Sequence, residues 1–452
     1  MTRLAPILLC FTLATSVFAA EPTVVDGPLG RKLDALLSRY AQYGLSATVL
    51  VAKDRHIVLH KGYGLADRER RIANSPDTLF EMASITKTFT AAALLRLEMD
   101  GKLRTSDRVS LYLGELPGPK AGVTLDHLLM HKGGLQIEGS DLHIDGMDRD
   151  QFVEAMKATA IESAPGERYR YTNSGYSLLA AVVEKVAAER FENFVRRTLL
   201  IPARMKNSGF RDDFVSGDRR IAKGYLGTPE RIEEGPPLQY LWGTRGAGGL
   251  IATVADIYRW TLALQGNSIL SESARRKMFA PAPTEQYGWH VETTDRGTPL
   301  IQKGGGQVNF ATQILQFPSE GIIIVFASNN LQQRWRRTLT TNLPKAALGE
   351  TYLLPPPTIS FAKSSQHRRL GAYRDETGTS VEIRAADGAL VLITKSASLP
   401  STVRFFPTAP SIFHGIDTAK SNLMSLTFDN TGAVIRTGNE THRLVRVSNP
   451  AK

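Results

Sequence analysis

One cysteine occurs in 452 residues, Cys10, and it falls among the first twenty. Those twenty residues read as a removable export leader. Arg3 gives a positive start, residues 7–17 are mostly apolar, and Val17-Phe18-Ala19 offers a small-residue cleavage site. Cleavage there leaves a chain without any thiol. That excludes disulfides, thiolate nucleophiles and thiolate metal sites, so stability must come from packing. Long apolar runs are missing too. The leader is shorter than the roughly 20 helical residues that span a bilayer, and no later stretch is apolar enough to do so. A lipid anchor at Cys10 is disfavoured by Ile7-Leu8-Leu9 before it and by the apolar chain after it. The expectation is an exported protein, periplasmic or secreted, without a membrane span.

Acidic residues are in deficit. Asp and Glu number 44 against 55 Lys and Arg, for a net charge of +11, one less without Arg3. The basic residues are scattered, with short clusters only at 68–71 and 334–337. No nucleic-acid recognition motif accompanies them, so the expected partners exclude nucleic acid and include nonspecific contact with anionic cell-wall polymers. Other motifs are absent or incomplete. Gly246-Ala247-Gly248-Gly249 lacks the Lys-Ser/Thr of a phosphate loop, and no G-x-S-x-G or long-period repeat occurs. His127 and His131 are four residues apart, but Leu128 stands where a zinc protease needs Glu. Neither metal nor cofactor is expected.

What is present has a clear order. Residues 33–40 have a helical pattern. Residues 47–52 and 56–60 read as strands joined by a turn at Lys53-Asp54. Apolar-periodic segments at 125–130 and 176–188 follow, the second capped by Asn173 or Ser174, and a further helix starts at Thr253. Strand signals return at 307–317 and 322–327 around the turn 318–321. Strands at both ends of a helical middle predict one sheet closed by the two ends of a domain spanning 21–350. Three consecutive prolines mark 351–357 as a linker. Beyond it, short strands at 380–384, 389–395, 425–428 and 434–437 alternate with turns at Asp387-Gly388 and Asn430-Thr431-Gly432. Residues 358–452 therefore read as a small all-β domain.

The chemistry concentrates in residues 81–101, an apolar helical run ended by Gly101, with Ser84 and Lys87 at its start. Three residues apart, the two share a helix face. A serine hydroxyl is a weak nucleophile until a base takes its proton. Lysine can be that base only as a neutral amine, which requires lowering its usual pKa of about 10.4; burial in an apolar helix does so. A lysine with a buried stem and a solvated head is the plainer reading of this pair, and only further motifs tip the balance.

Two such motifs follow in order, Tyr171-Thr172-Asn173 and Lys303-Gly304-Gly305-Gly306. With Phe80-Glu81-Met82-Ala83-Ser84-Ile85-Thr86-Lys87, they make the chain resemble, over about residues 30–345, the class C β-lactamases and related penicillin-binding hydrolases, with their D-Ala-D-Ala carboxypeptidase and esterase relatives. The resemblance implies an α+β fold: an antiparallel sheet flanked by helices plus a helical subdomain, here followed by a small barrel-like all-β domain. It implies Ser84 as nucleophile and Lys87 and Tyr171 as proton carriers. Asn173 would serve Lys87 and a substrate carbonyl, and Lys303 an anionic substrate group or Tyr171. Gly304, Gly305 and Gly306 would line the site, with the Gly306 and Ser84 N–H groups as oxyanion hole. The sequence departs from the pattern at Gly304, where relatives carry Thr or Ser, at Lys132-Gly133-Gly134, and at Asn309. Loss of the hydroxyl at 304 weakens the grip on a carboxylate. A serine hydrolase of carboxylic esters is therefore the leading expectation. A β-lactamase, D,D-carboxypeptidase or D-aminopeptidase comes second, and a non-catalytic cell-wall-binding homologue third.

Overall fold

The structure is a computed structural model that describes residues 20–135, 146–227, 232–235, 240–307, 309–330, 334–360, 369–386, 388–429 and 431–447. The expected leader lies outside the described residues except for Ala20, as do Asp387 and Asn430 of two expected turns.

Strand Ala47–Lys53 is mostly apolar and buried from Ala47 to Ala52, Thr48 included, as a strand covered on both faces must be. It pairs antiparallel with His56–Tyr63 on one side and with Ile322–Ser328 on the other, so the chain's early and late segments share one sheet. The order is Val24–Val25, His56–Tyr63, Ala47–Lys53, Ile322–Ser328, Ala311–Phe317, Pro299–Gly306, His290–Thr293. Helices Gly27–Gln42 and Arg334–Ala347 cover one face through Leu33, Leu37, Leu339 and Leu343. Helices Thr86–Met99 and Val254–Gln265 cover the other, where Phe89 stacks on Trp260 at 4.1 Å.

Thr86–Met99 is buried on nearly every side and packs closely against helix Ser174–Ala187. Gly101, at φ +68°, ends it. The Gly101 N–H donates to Glu98 O and the Lys102 N–H to Leu97 O, both at 3.0 Å, closing the last turn. Two local expectations shift. The first hairpin turns at Asp54-Arg55, both left-handed at φ +50° and +66°, a conformation that follows the twist of the strands. The strand expected over 307–317 begins only at Ala311. The Gln307 N–H donates to Phe310 O at 3.0 Å, making a turn, and Lys303 to Gly306 belong to the preceding strand. Three glycines carry no strand propensity, which hid that strand's end in the sequence.

The C-terminal strands, from Gly371–Arg374 to Glu440–Arg446, close into an eight-stranded barrel filled by Tyr373, Leu392, Phe405, Phe413, Leu426 and other apolar side chains. The proline segment leading to it is pinned to the first helix. Tyr40 Oη donates to Leu353 O (2.7 Å), Arg39 to Pro355 O (2.8 Å) and Tyr43 Oη to Pro356 O (3.0 Å). The barrel docks on the same helical layer. Phe406 meets Tyr43 edge-on, and Asn342 Nδ2 donates to Ser421 Oγ at 2.8 Å.

Candidate active site

Ser84 sits in a short 3-10 turn, Ala83–Ile85, that feeds helix Thr86–Met99. Ala83 just before it is left-handed at φ +46°, a conformation that costs a non-glycine residue about 1–2 kcal/mol. The surroundings hold it there. Met82 N–H donates to Leu250 O (2.8 Å), Thr86 Oγ1 to Ala83 O (2.7 Å), and Thr312 Oγ1 to Met82 O (3.0 Å). The turn is thus fastened at both ends, and Ser84 is left half-buried at the edge of a pocket.

One helical turn on, Lys87 is fully buried. Its Nζ lies 3.1 Å from Ser84 Oγ, 2.7 Å from Asn173 Oδ1 and 3.1 Å from Ala247 O. Asn173 occupies the position before helix Ser174–Ala187 but does not cap it with its side chain; the amide turns to Lys87 instead. Tyr171 Oη donates to Ser84 Oγ at 2.7 Å. The hydroxyl of Ser84 therefore touches both groups that the sequence assigned to proton transfer. Lys87 Nζ also lies 4.7 Å from the centre of the Tyr171 ring.

Behind Tyr171 stands a charged layer that the sequence only hinted at. His131 stacks on its ring at 4.4 Å. Thr172 N–H donates to His131 Nδ1 at 3.2 Å, which leaves Nε2 as the ring's N–H, directed at Glu285 Oε1 3.3 Å away. Burial lowers the His131 pKa to about 4, against the pull of Glu285, so the ring is neutral. Glu285 is also ion-paired with Lys303. Burial alone would raise its carboxyl, but Lys303 and His131 more than offset this and hold it well below the usual range. Lys303 is only 2 % exposed, and burial pulls its ammonium down while Glu285 counters. The cation expected to attract an anionic substrate group is therefore engaged inside the protein, 5.4 Å from the Tyr171 ring centre.

Gly304, Gly305 and Gly306 pair with Gln313, Thr312 and Ala311. A side chain at 305 would strike the Met82 carbonyl, so glycine there lets the strand lie against the Ser84 turn. Successive residues of a strand face opposite sides. A side chain at 304 would collide with the guanidinium of Arg336, whose Nε–H donates to Gln313 Oε1 at 3.0 Å. Ser84, Tyr171, Lys303, Gly304, Gly306 and Arg336 line one pocket of about 570 Å³. A larger groove of about 910 Å³ lies over Ile301, Phe317 and Ile323, but it holds none of these groups, and the chemistry is assigned to the smaller pocket.

All eight predicted site residues thus come together on one turn, two helix entrances and one strand. Glu285, His131 in this setting, and Arg336 were missed. Glu285 stands in a segment that no motif marks, and Arg336 was hidden in the short basic cluster at 334–337. Tyr176 is buried, with its hydroxyl on Leu129 O at 2.9 Å, but Tyr169 is 37 % exposed and lines the pocket. His127, considered as a metal ligand, instead accepts the Thr124 N–H through Nδ1 in a capping box.

Comparisons with known proteins identify the family and the fold. The family described as Beta-lactamase matches residues 33–346. Penicillin-binding protein 4* of Bacillus subtilis is 25 % identical over 424 residues, covering 85 % of this chain and 93 % of that protein. The putative penicillin-binding protein PbpX of the same organism is 33 % identical over 298 residues, covering 64 % of this chain and 72 % of its own. Among solved structures, the octameric penicillin-binding protein homologue from Pyrococcus abyssi superposes with a TM-score of 0.64 at 22 % identity, over 93 % of this chain and all of that one.

Proposed function

The chain belongs to the β-lactamase family, and on that premise we propose that it is an exported serine hydrolase that works through an acyl-enzyme on Ser84. The observation that carries the reading is a single oxygen, Ser84 Oγ, within hydrogen-bond distance of both Lys87 Nζ and Tyr171 Oη.

Hydrogen-bond accounting supports a ready nucleophile. A neutral amine has two N–H groups and one lone pair. The N–H groups serve Asn173 Oδ1 and Ala247 O, and the lone pair faces the Ser84 hydroxyl. The partners named are uncharged groups, and burial disfavours the ammonium form. Ser84 then passes its proton to Lys87 as Oγ bonds to the substrate carbonyl carbon. Backbone N–H groups of Ser84 and Gly306 would take the oxyanion. Tyr171 gives its proton to the departing group and regains the proton that Ser84 had passed to Lys87. Water attacks the ester so formed by the reverse proton route, releasing the acid and free Ser84.

The substrate is an acyl compound: an ester, a lactam or a D-amino-acid peptide. Carboxylic esters were favoured because Gly304 lacks a hydroxyl, and Arg336 in that space removes the reason. The names of both Bacillus relatives, penicillin-binding proteins, support a lactam. Mass spectrometry after incubation with a fluorophosphonate and with a penicillin tests the proposal. A stoichiometric adduct on Ser84, absent from Ser84→Ala, is expected. An intact, folded chain that takes neither label would end the reading.

A further inference from the structure

The larger groove, about 910 Å³, has no part in the acyl-transfer steps. Its floor is sheet. Gln316 stands there between two isoleucines, paired with Ile301 on one neighbouring strand and Ile323 on the other. Leu264, near the end of helix Val254–Gln265, and Phe279, just past helix Glu272–Met278, wall it. One short segment separates it from the catalytic pocket, since Phe279 and Pro281 line the groove while Pro283 and Glu285 line the pocket.

Two features of the groove call for a ligand that is not purely apolar. Gln316 is only 4 % exposed, and the one hydrogen bond of its amide among the described residues comes from Gln265 Nε2 to its Oε1, at 3.5 Å. That is long for such a bond, and the amide N–H groups of Gln316 have no described acceptor. Charge is the second feature. Arg55, Arg275 and Arg276 line the groove with Asp54 and Glu272. Arg276 is paired with Glu272. Arg275 donates to Gly266 O, Asn267 and Leu270 O, and Arg55 to Gln265, all uncharged. Two guanidiniums with neutral partners are thus set against one carboxylate, Asp54.

We propose that this groove is a binding site for a single-chain carboxylate amphiphile, a fatty acid of medium length. Ile301, Ile323, Leu264 and Phe279 cover the hydrocarbon, and the Gln316 amide with Arg55 and Arg275 takes the carboxylate. An apolar cleft with a few polar groups is the usual make-up of a small-molecule site, and the volume is in the usual range. A wholly apolar ligand would strip water from Gln316 and return no hydrogen bond. A carboxylate returns one and also meets the guanidiniums. The inference goes beyond the acyl-enzyme reading and does not depend on it.

Isothermal titration of the full chain with hexanoate, octanoate and decanoate, below the concentrations at which they form micelles, tests the proposal. One site per chain is expected, with Kd falling about 10-fold for each two carbons added. Octanamide, the uncharged match of octanoate, should bind about 10-fold more weakly. Gln316→Leu should weaken octanoate by about 5-fold. Arg55→Gln, at an exposed position, should narrow the gap between octanoate and octanamide. Ile301→Glu puts a carboxylate on the floor and should abolish binding; the two milder variants carry the test if that one does not fold. No heat with any of the three acids overturns the proposal. So does a Kd that Gln316→Leu and Arg55→Gln both leave unchanged, because the ligand then sits elsewhere, the catalytic pocket included. Equal affinity for octanoate and octanamide also overturns it, because the arginines would then have no role.

Discussion

The core and the barrel both bury carboxylates, and they use them differently. In the barrel, Asp375 accepts from the Thr377 and Thr379 N–H groups at 3.0 and 2.8 Å, and Asp417 from those of Ala419 and Lys420 at 3.0 and 3.2 Å. These N–H donors all lie within four residues of the carboxylate they serve, and the more distant Ser396 adds a side-chain bond to Asp375. Burial works against the Asp375 carboxylate, but bonds from Thr377, Ser396 and Thr379 outweigh it and bring its pKa to about 2. In the core, Glu285 engages Lys303 and His131, 18 and 154 residues away, and Lys87 reaches Asn173 and Ala247, 86 and 160 residues away. Polar groups satisfied by their own loop close a turn. Polar groups satisfied only by distant segments converge on a place, and here that place is a pocket with a hydroxyl at its edge. Burial of charge alone therefore does not mark a site; the sequence distance of the partners does.

The largest effect should separate the two uses directly. Lys87→Met keeps the bulk and removes the amine, and we expect kcat to fall by about 1,000-fold or more, with Ser84 labelling slowed in parallel. Asp375→Asn loosens a turn and should leave kcat within about twofold. Steady-state kinetics on any turned-over ester decides this, and a Lys87→Met enzyme of near-normal kcat would erase the contrast. Next in size is a stability effect confined to the barrel. Phe413 is fully buried there, so Phe413→Ala should cost about 3–5 kcal/mol in denaturant unfolding. Below the transition, kcat should be unchanged. A matching loss of kcat would mean that the barrel takes part in the site.

The same distinction explains how much was legible in the sequence. Ser84 and Lys87 share a helix turn, and Tyr171 and Asn173 are two residues apart, so each pair could be seen as a local pattern. The alternating strands of the barrel and the prolines before it were also local signals, and the closed barrel bears out the all-β expectation. The contact of Arg336 with position 304 joins a helix to a strand across the sheet, and no spacing announces it. Glu285 likewise lies in a loop whose composition is ordinary. The glycine at 304 was noticed as a missing hydroxyl; that it makes room for another side chain is a packing fact, visible only once the strand and the helix are side by side.

A smaller effect, on pH dependence, probes the contrast away from the pocket. His60 lies on the core strand His56–Tyr63, 1 % exposed, and its Nε2 has no hydrogen-bond partner among the described residues. Burial lowers its pKa to about 4, against a weaker opposing pull from Glu21. The folded chain thus keeps the ring neutral down to about pH 4, while the unfolded chain takes up a proton near its ordinary value of about 6.5. Between those values the unfolded state binds more protons, so stability is full above the upper limit and drains away as pH falls. The slope is about 1.4 kcal/mol per pH unit for each such histidine. His131 contributes with the same sign. His60→Leu should remove one histidine's share of that slope, leaving the protein more stable at pH 5 while the difference shrinks toward neutrality. In the barrel, His414 is half-buried and bonded to Thr408 at 2.7 Å. Its replacement by Leu should flatten the slope less, because water and a hydroxyl already share the ring's demands. Urea unfolding at pH 5, 6 and 7 measures both. Equal flattening by the two variants would show that the core shields its histidines no better than the barrel does.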